Sequence, residues 1–333
     1  TPGCCSATDN YSLEHIEQFI NTEKEKPFCL VTAFIQPHVP WTVGDASAYS
    51  PEKLVLPDHW ADTPETRDAY SRYLAEITFF DKQLGELLAV LEKSGRAKNT
   101  LVLYLSEQGA QFPGAKWTSW DEGIHAAAIA RWPAKIKKGE VCDAIVQYVD
   151  VAPTFIELAG GKPAKAIEGK SFVKLLEDPK LDFRQFAYAI HCNTPEGPPY
   201  PVRAIIGKEY KYIWNTTPEA TYIEKHVVNP KAREVYWQSW LKSAQKGDKR
   251  SQRAIQRWQH RPEEELYQIL DDPFEKKNLA ANPELKEVKQ KLRTELQKWM
   301  KEQGDDGSEF PLRNSAIYLK KSNYINNKKI KKK

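Results

Sequence analysis

The chain has 333 residues, of which 41% are hydrophobic and 28% charged, with 10 Trp, 15 Tyr and 12 Phe. That composition can bury a core and excludes wholesale disorder, and the length suits one large domain or two ordinary ones. The net charge of +4 misleads, because residues 318–333 hold seven Lys and no acid, which leaves a body of 42 basic and 45 acidic residues. The basic run is expected to be a solvated, disordered tail. No basic stripe interleaved with aromatics occurs in the body, so nucleic acid is not an expected partner. No apolar stretch reaches the length of a membrane span, and no hydrophobic signal segment opens the chain. The only methionine is Met300. Thr1 is therefore not expected to be a translation start, and the chain reads as a processed product or a fragment. Cys4, Cys5, Cys29, Cys142 and Cys192 form no zinc spacing.

Strand and helix alternate up to about residue 160. A short helix is expected over 12–19. Residues 28–35 (FCLVTAFI) form an apolar run of the kind buried in α/β sheets, and they end in a proline-stiffened loop, QPHVPW. Residues 65–93 carry the clearest helical periodicity. A second buried strand is expected over 101–105 and a third over 126–132. Asp150 is expected to cap a helix through Leu158. The fold expected from this order is a mostly parallel sheet flanked by helices over 1–165. A smaller antiparallel sheet should follow over 166–317, with strands at 186–190, 202–206 and 210–214. A final amphipathic helix is expected over 283–303. Residues 216–263 are polar and resist assignment.

In open α/β sheets ligands sit beyond the carboxyl ends of the strands. His38 and the Glu107-Gln108 pair stand at such ends. A loop histidine is more often exposed or structural than functional, and an acid after a strand is more often a turn residue. Position therefore raises the functional reading without establishing it. Glu107 and Gln108 offer oxygen donors of the kind hard cations take. Lys116, further along the same loop, offers a charge suited to sulfate or phosphate, although an exposed loop lysine is its commoner role. Neither a phosphate-cradling glycine loop nor a G-x-S-x-G elbow is present.

The stretches PFCLVTAFIQPHVPW, LVLYLSEQGAQFPGAKWTSWDEGIHAAAIARWP, YVDVAPTFIELAGGKP, IEGKSFVKLL, RAIIGKEYKYIWN and ELYQILDDPFEKKNLA resemble, in this order, the sulfatase family of the alkaline-phosphatase superfamily. The C-terminal stretches look most like heparan N-sulfatases. The resemblance implies an alkaline-phosphatase-like α/β fold and hydrolysis of sulfuric esters or sulfamates on sulfated glycans. It places Glu107 and Gln108 at the family's metal pair, Lys116 at a sulfate-binding lysine, and His38 at a histidine that contacts sulfate and assists the leaving group. His125, His191 and Arg203 fall among substrate contacts. The implied cofactors are Ca²⁺, with Mg²⁺ as the alternative, and a formylglycine. The implied location is extracytoplasmic: periplasmic, secreted or lysosomal.

The sequence departs from the family in three ways. Glu-Gln is one methylene longer on each arm than the usual metal pair. His125 stands where many sulfatases have arginine. The C/S-x-P-x-R motif that yields formylglycine does not occur, nor do the family's N-terminal metal carboxylates. A truncated sulfatase, inactive as given, is the expectation. The alternatives are a phosphoesterase or phosphotransferase of the same superfamily, and a non-catalytic protein that binds sulfated glycans.

Overall fold

The computed structural model describes residues 12–22, 26–229 and 234–308. Cys4, Cys5 and the basic run at 318–333 lie outside the described residues. The chain divides into two compact units, one reaching Ala187 and including Lys225–Trp258, the other made of Tyr188–Glu224 and the residues from Gln259 onward. The first unit thus runs past residue 165.

In the first unit, α1 (Leu13–Thr22) packs against α2 (Pro64–Lys93). The start of α2 is set by Thr63, whose side chain accepts from the Thr66 N–H, and by Pro64 at the first helical position. Its end is set by Gly95 with φ 75°, a conformation that favours glycine. Strands β1 (Val102–Leu105) and β2 (Ala128–Arg131) form a two-stranded sheet, with the short helix α3 (Asp121–Ile124) between them in sequence. The unit continues with α4 (Val151–Leu158) and α5 (Val173–Glu177). It then takes in α6 (Lys225–Val228), α7 (Tyr236–Gln245) and α8 (Lys249–Gln259).

Three expectations change here. Strands β1 and β2 pair antiparallel, Val102 opposite Arg131, where a parallel arrangement was expected. The reason lies in the connection: the Ser106 N–H donates to Ala127 O at 2.9 Å. The connection over 106–127 thus returns the chain to the strand end it left, whereas parallel neighbours need a crossover to the opposite end. Residues 28–35 run without a ladder partner among the described residues. Asp150 does not cap α4 through its side chain. It is fully buried, accepts from the Gln147 N–H at 2.7 Å and the Lys170 N–H at 2.8 Å, and pairs with Arg184.

In the second unit the strands lie in the order β3 (Ala187–His191), β4 (Val202–Ile206), β5 (Tyr210–Asn215), β6 (Glu264–Gln268). The β4–β5 and β5–β6 pairs are antiparallel, with Ala204 opposite Ile213 and Tyr212 opposite Leu266. Helix α9 (Lys286–Glu302) lies against β4 and β5 and buries Leu292, Leu296 and Met300. Trp299 stacks flat on Tyr188, ring centroids 4.5 Å apart.

Candidate active site

One loop, residues 106–127, carries Glu107, Gln108, Lys116 and His125. Its crossing point needs glycine. A Cβ on Gly109 would lie 1.7 Å from Glu122 O, and the Gly109 N–H donates to Gly123 O at 3.1 Å. The loop centres on Phe112, which is fully buried. Phe112 stacks on Trp60 at 4.3 Å, Tyr236 at 5.0 Å and Trp41 at 5.1 Å.

Trp41 connects this loop to the one carrying His38. Its Nε1–H donates to Pro37 O at 3.1 Å. The Thr42 and Val43 N–H groups donate to Glu76 of α2 at 2.7 and 3.3 Å. Burial raises the Glu76 carboxyl above its ordinary range, against those two hydrogen bonds. The loops bearing His38 and Lys116 are therefore brought to one aromatic cluster, fixed on α2. His38 Nδ1 lies 2.7 Å from Val39 O. A carbonyl only accepts, so Nδ1 carries a proton and Nε2 is the ring nitrogen left for proton transfer.

Glu107 is exposed, and Gln108 Nε2 donates to its carboxylate at 3.3 Å. Their oxygen chemistry suits a hard cation. Two side chains fall short of the roughly six to eight oxygens that Ca²⁺ takes, and among the described residues no group of three or more His, Cys, Asp or Glu could hold a metal. The residues present do not complete a cation site. Lys116 is half-buried, its N–H donating to Ala110 O at 3.0 Å. Its ammonium lies 4.9 Å from the centroid of the Trp117 ring. His125 is exposed and stands 3.1 Å from Asp121.

Two expected substrate contacts lie in the second unit. His191 is held neutral, its pKa pushed down to about 4, first by burial and then by the charge of Arg261. Its Nε2 is 3.3 Å from the Tyr222 hydroxyl. Arg203 is fully buried and pairs with Asp305 through both Nε and NH2. Its NH2 also donates to Ser308 O at 3.0 Å. That packing holds the turn at 305–308 onto β4.

Sequence reasoning missed Tyr148 and Trp117. The Tyr148 hydroxyl donates to Ser106 O, next to Glu107. Burial and then the Glu107 charge raise its pKa. Tyr148 lies inside one of the stretches that carried the resemblance, but no residue pattern singles it out.

The chain is similar to known proteins over most of its length. The sulfatase profile matches residues 2–161, and the profile of the C-terminal region of N-sulphoglucosamine sulphohydrolase matches 115–232. An ulvan-active sulfatase of Formosa agariphila is 31% identical over 304 residues, 90% of this chain and 57% of that protein. Human N-sulphoglucosamine sulphohydrolase is 23% identical over 329 residues, 87% of this chain and 64% of that protein. A structure solved in complex with its substrate, D-glucosamine-2-N,6-O-disulfate, is similar with TM-score 0.54 at 24% identity, over 75% of this chain and 44% of that one. One from a Bacteroides thetaiotaomicron glycosaminoglycan locus gives TM-score 0.64 at 19% identity, over 88% and 58%. The chain spans 41–57% of the length of the three ulvan-active sulfatases it matches. On these matches the chain belongs to the sulfatase family.

Proposed function

We propose that this chain supplies the sulfate-binding loops of an enzyme that hydrolyses sulfuric esters or sulfamates on sulfated glycans, with N-sulfated glucosamine of the heparan type as favoured substrate. The observation that supports it most is the joining of the Lys116 and His38 loops through the Phe112–Trp41 stack. Lys116 brings a fixed positive charge to the sulfate oxygens, where charge builds during transfer. His38, its Nδ1–H directed at Val39 O, holds a proton at Nε2 for the departing oxygen or nitrogen. Glu107 and Gln108 would contribute two oxygens to a Ca²⁺ whose remaining ligands these residues do not provide. The names of the human relative and of the substrate-bound neighbour support the choice of glucosamine N-sulfate. Such substrates are met outside the cytoplasm, so an extracytoplasmic location is part of the proposal.

The sequence has no C/S-x-P-x-R motif, so this chain binds sulfate without turning it over. Calorimetric titration with glucosamine N-sulfate and with N-acetylglucosamine, alongside a sulfate-release assay, tests this. Binding that requires the sulfate group, without release, is the expected result. Equal affinity for both sugars sinks the sulfate reading. The missing motif also suits a binding protein with no enzymatic role, and release by a polypeptide of the relatives' full length separates that case.

A further inference from the structure

The loop bearing Lys116 holds a backbone conformation that its sequence does not favour. Trp117 has φ 66°, in the left-handed region that bulky residues rarely enter. Such strain persists where the surroundings over-determine it. On one side the Lys116 N–H is tied to Ala110 O at 3.0 Å. On the other, the Thr118 N–H donates to Ala115 O at 3.2 Å and the Thr118 hydroxyl to the same oxygen at 2.8 Å. Thr118, Ser119 and Trp120 are all buried. The chain is thus pinned on both sides of Trp117, and the turn decides where the two neighbouring side chains go.

In an extended chain successive side chains point apart. Here the left-handed turn brings the Lys116 ammonium to 4.9 Å from the centroid of the next residue's ring, within the range of a cation–π contact. The His226 ring of α6 lies nearly parallel to the same indole, 13° between planes and 5.7 Å between centroids. A lysine on a flexible four-carbon stem would otherwise sample many rotamers. The aromatic face limits that freedom before an anion arrives, so binding forfeits less entropy.

We propose that Trp117 is a positioning residue: its indole, steadied by His226, holds the Lys116 ammonium where sulfate is met. The inference rests on Lys116 being the partner of sulfate. Trp117 itself touches no reacting atom and acts through Lys116.

Reductive methylation with ¹³C-formaldehyde gives each lysine a dimethylammonium NMR signal, and Lys116→Arg identifies the one from Lys116. The aromatic ring should shift that signal upfield. Trp117→Leu and Trp117→Gly should return it to the position of exposed lysines, and Trp117→Phe should keep it upfield. Glycine suits φ 66°, so the Gly variant removes the ring while relieving the backbone, and a loss there comes from the ring. Titration with inorganic sulfate, against chloride at equal ionic strength, should show affinity weakened about three- to five-fold in the Leu and Gly variants and restored in the Phe variant. A Lys116 signal that is not upfield in the wild type, or that stays upfield in Trp117→Leu, overturns the inference. A signal that depends on Trp117 but ignores sulfate supports the contact and overturns the sulfate reading of Lys116, which keeps the two failures apart.

Discussion

Lys116 and His38 divide the proposed work between charge and proton. In a polypeptide of the relatives' length, Lys116→Ala should lower turnover by about 10²–10³, the usual effect of losing one preorganised contact to developing charge. His38→Ala should slow sulfamates and alkyl sulfates more than activated aryl sulfates, which leave without a proton. Turnover of one substrate of each kind decides: equal losses on both make His38 a binding residue rather than a proton donor. His191 makes a separate claim on stability. Its pKa is 6.5 when unperturbed and about 4 in the fold. The unfolded chain therefore takes up its proton first as pH falls. The stability His191 supports is full above pH 6.5 and is lost progressively down to about pH 4. The whole shift amounts to on the order of 3 kcal/mol. Urea denaturation of wild type and His191→Gln between pH 7 and 4 should show a shallower slope in the variant, and parallel slopes would contradict the buried neutral histidine. His38 and Lys116 were singled out from an expected strand end and a motif, and the Phe112–Trp41 stack that joins their loops was not legible in either. The Arg203–Asp305 pair was not legible, because a sequence shows an arginine's charge and not the acid 102 residues later that meets it.

The elements that were legible are those whose periodicity is long or whose boundaries are chemical. Thr63, Pro64 and Gly95 bracket α2, and the short turn at 207–209 joins β4 to β5 almost where expected. Helices α7 and α8 were missed because their inward faces combine Trp237, Trp240, Trp258 and Ala254 with Ser239 and Ser251, which no apolar stripe announces. Polar contacts dock α7 on α2. Trp240 Nε1–H donates to Thr66 Oγ1 at 2.7 Å, and the hydroxyls of Thr63 and Ser239 lie 2.6 Å apart. All four side chains are buried. Thr66→Val keeps the volume but leaves the indole N–H without that acceptor, which should cost about 1–3 kcal/mol. Thr66→Ser should cost less, because it keeps the oxygen. Chemical denaturation of both variants checks this, and equal losses would assign the effect to packing instead.

Over the first unit as a whole, several apolar side chains face solvent: Val31 is 81% exposed, Val141 77%, Ile129 62% and Val149 51%. Single exposed apolar residues are ordinary, but such a set in and beside extended segments is not. Residues 28–35 add an apolar run whose backbone has no ladder partner among the described residues. Extended apolar backbone flanked by exposed β-branched side chains favours contact with another apolar surface. This is also why the sequence misled there: 28–35 has the composition of a buried strand, but burial needs a neighbour that the described residues do not provide. The chain should therefore self-associate as its concentration rises. Sedimentation velocity between about 1 and 100 µM should show the mean sedimentation coefficient increasing. A charge on an exposed strand opposes edge-to-edge pairing. Val31→Lys should suppress the increase while leaving the circular dichroism spectrum unchanged, since that side chain contributes little to the folded interior. Lys substitution at Val55, which is 89% exposed but follows a 3-10 turn rather than lying in the 28–35 run, is the matched control. If both variants reduce association equally, general charge is responsible and the 28–35 segment is not. If only Val31→Lys does, the 28–35 segment is the surface through which the chains meet.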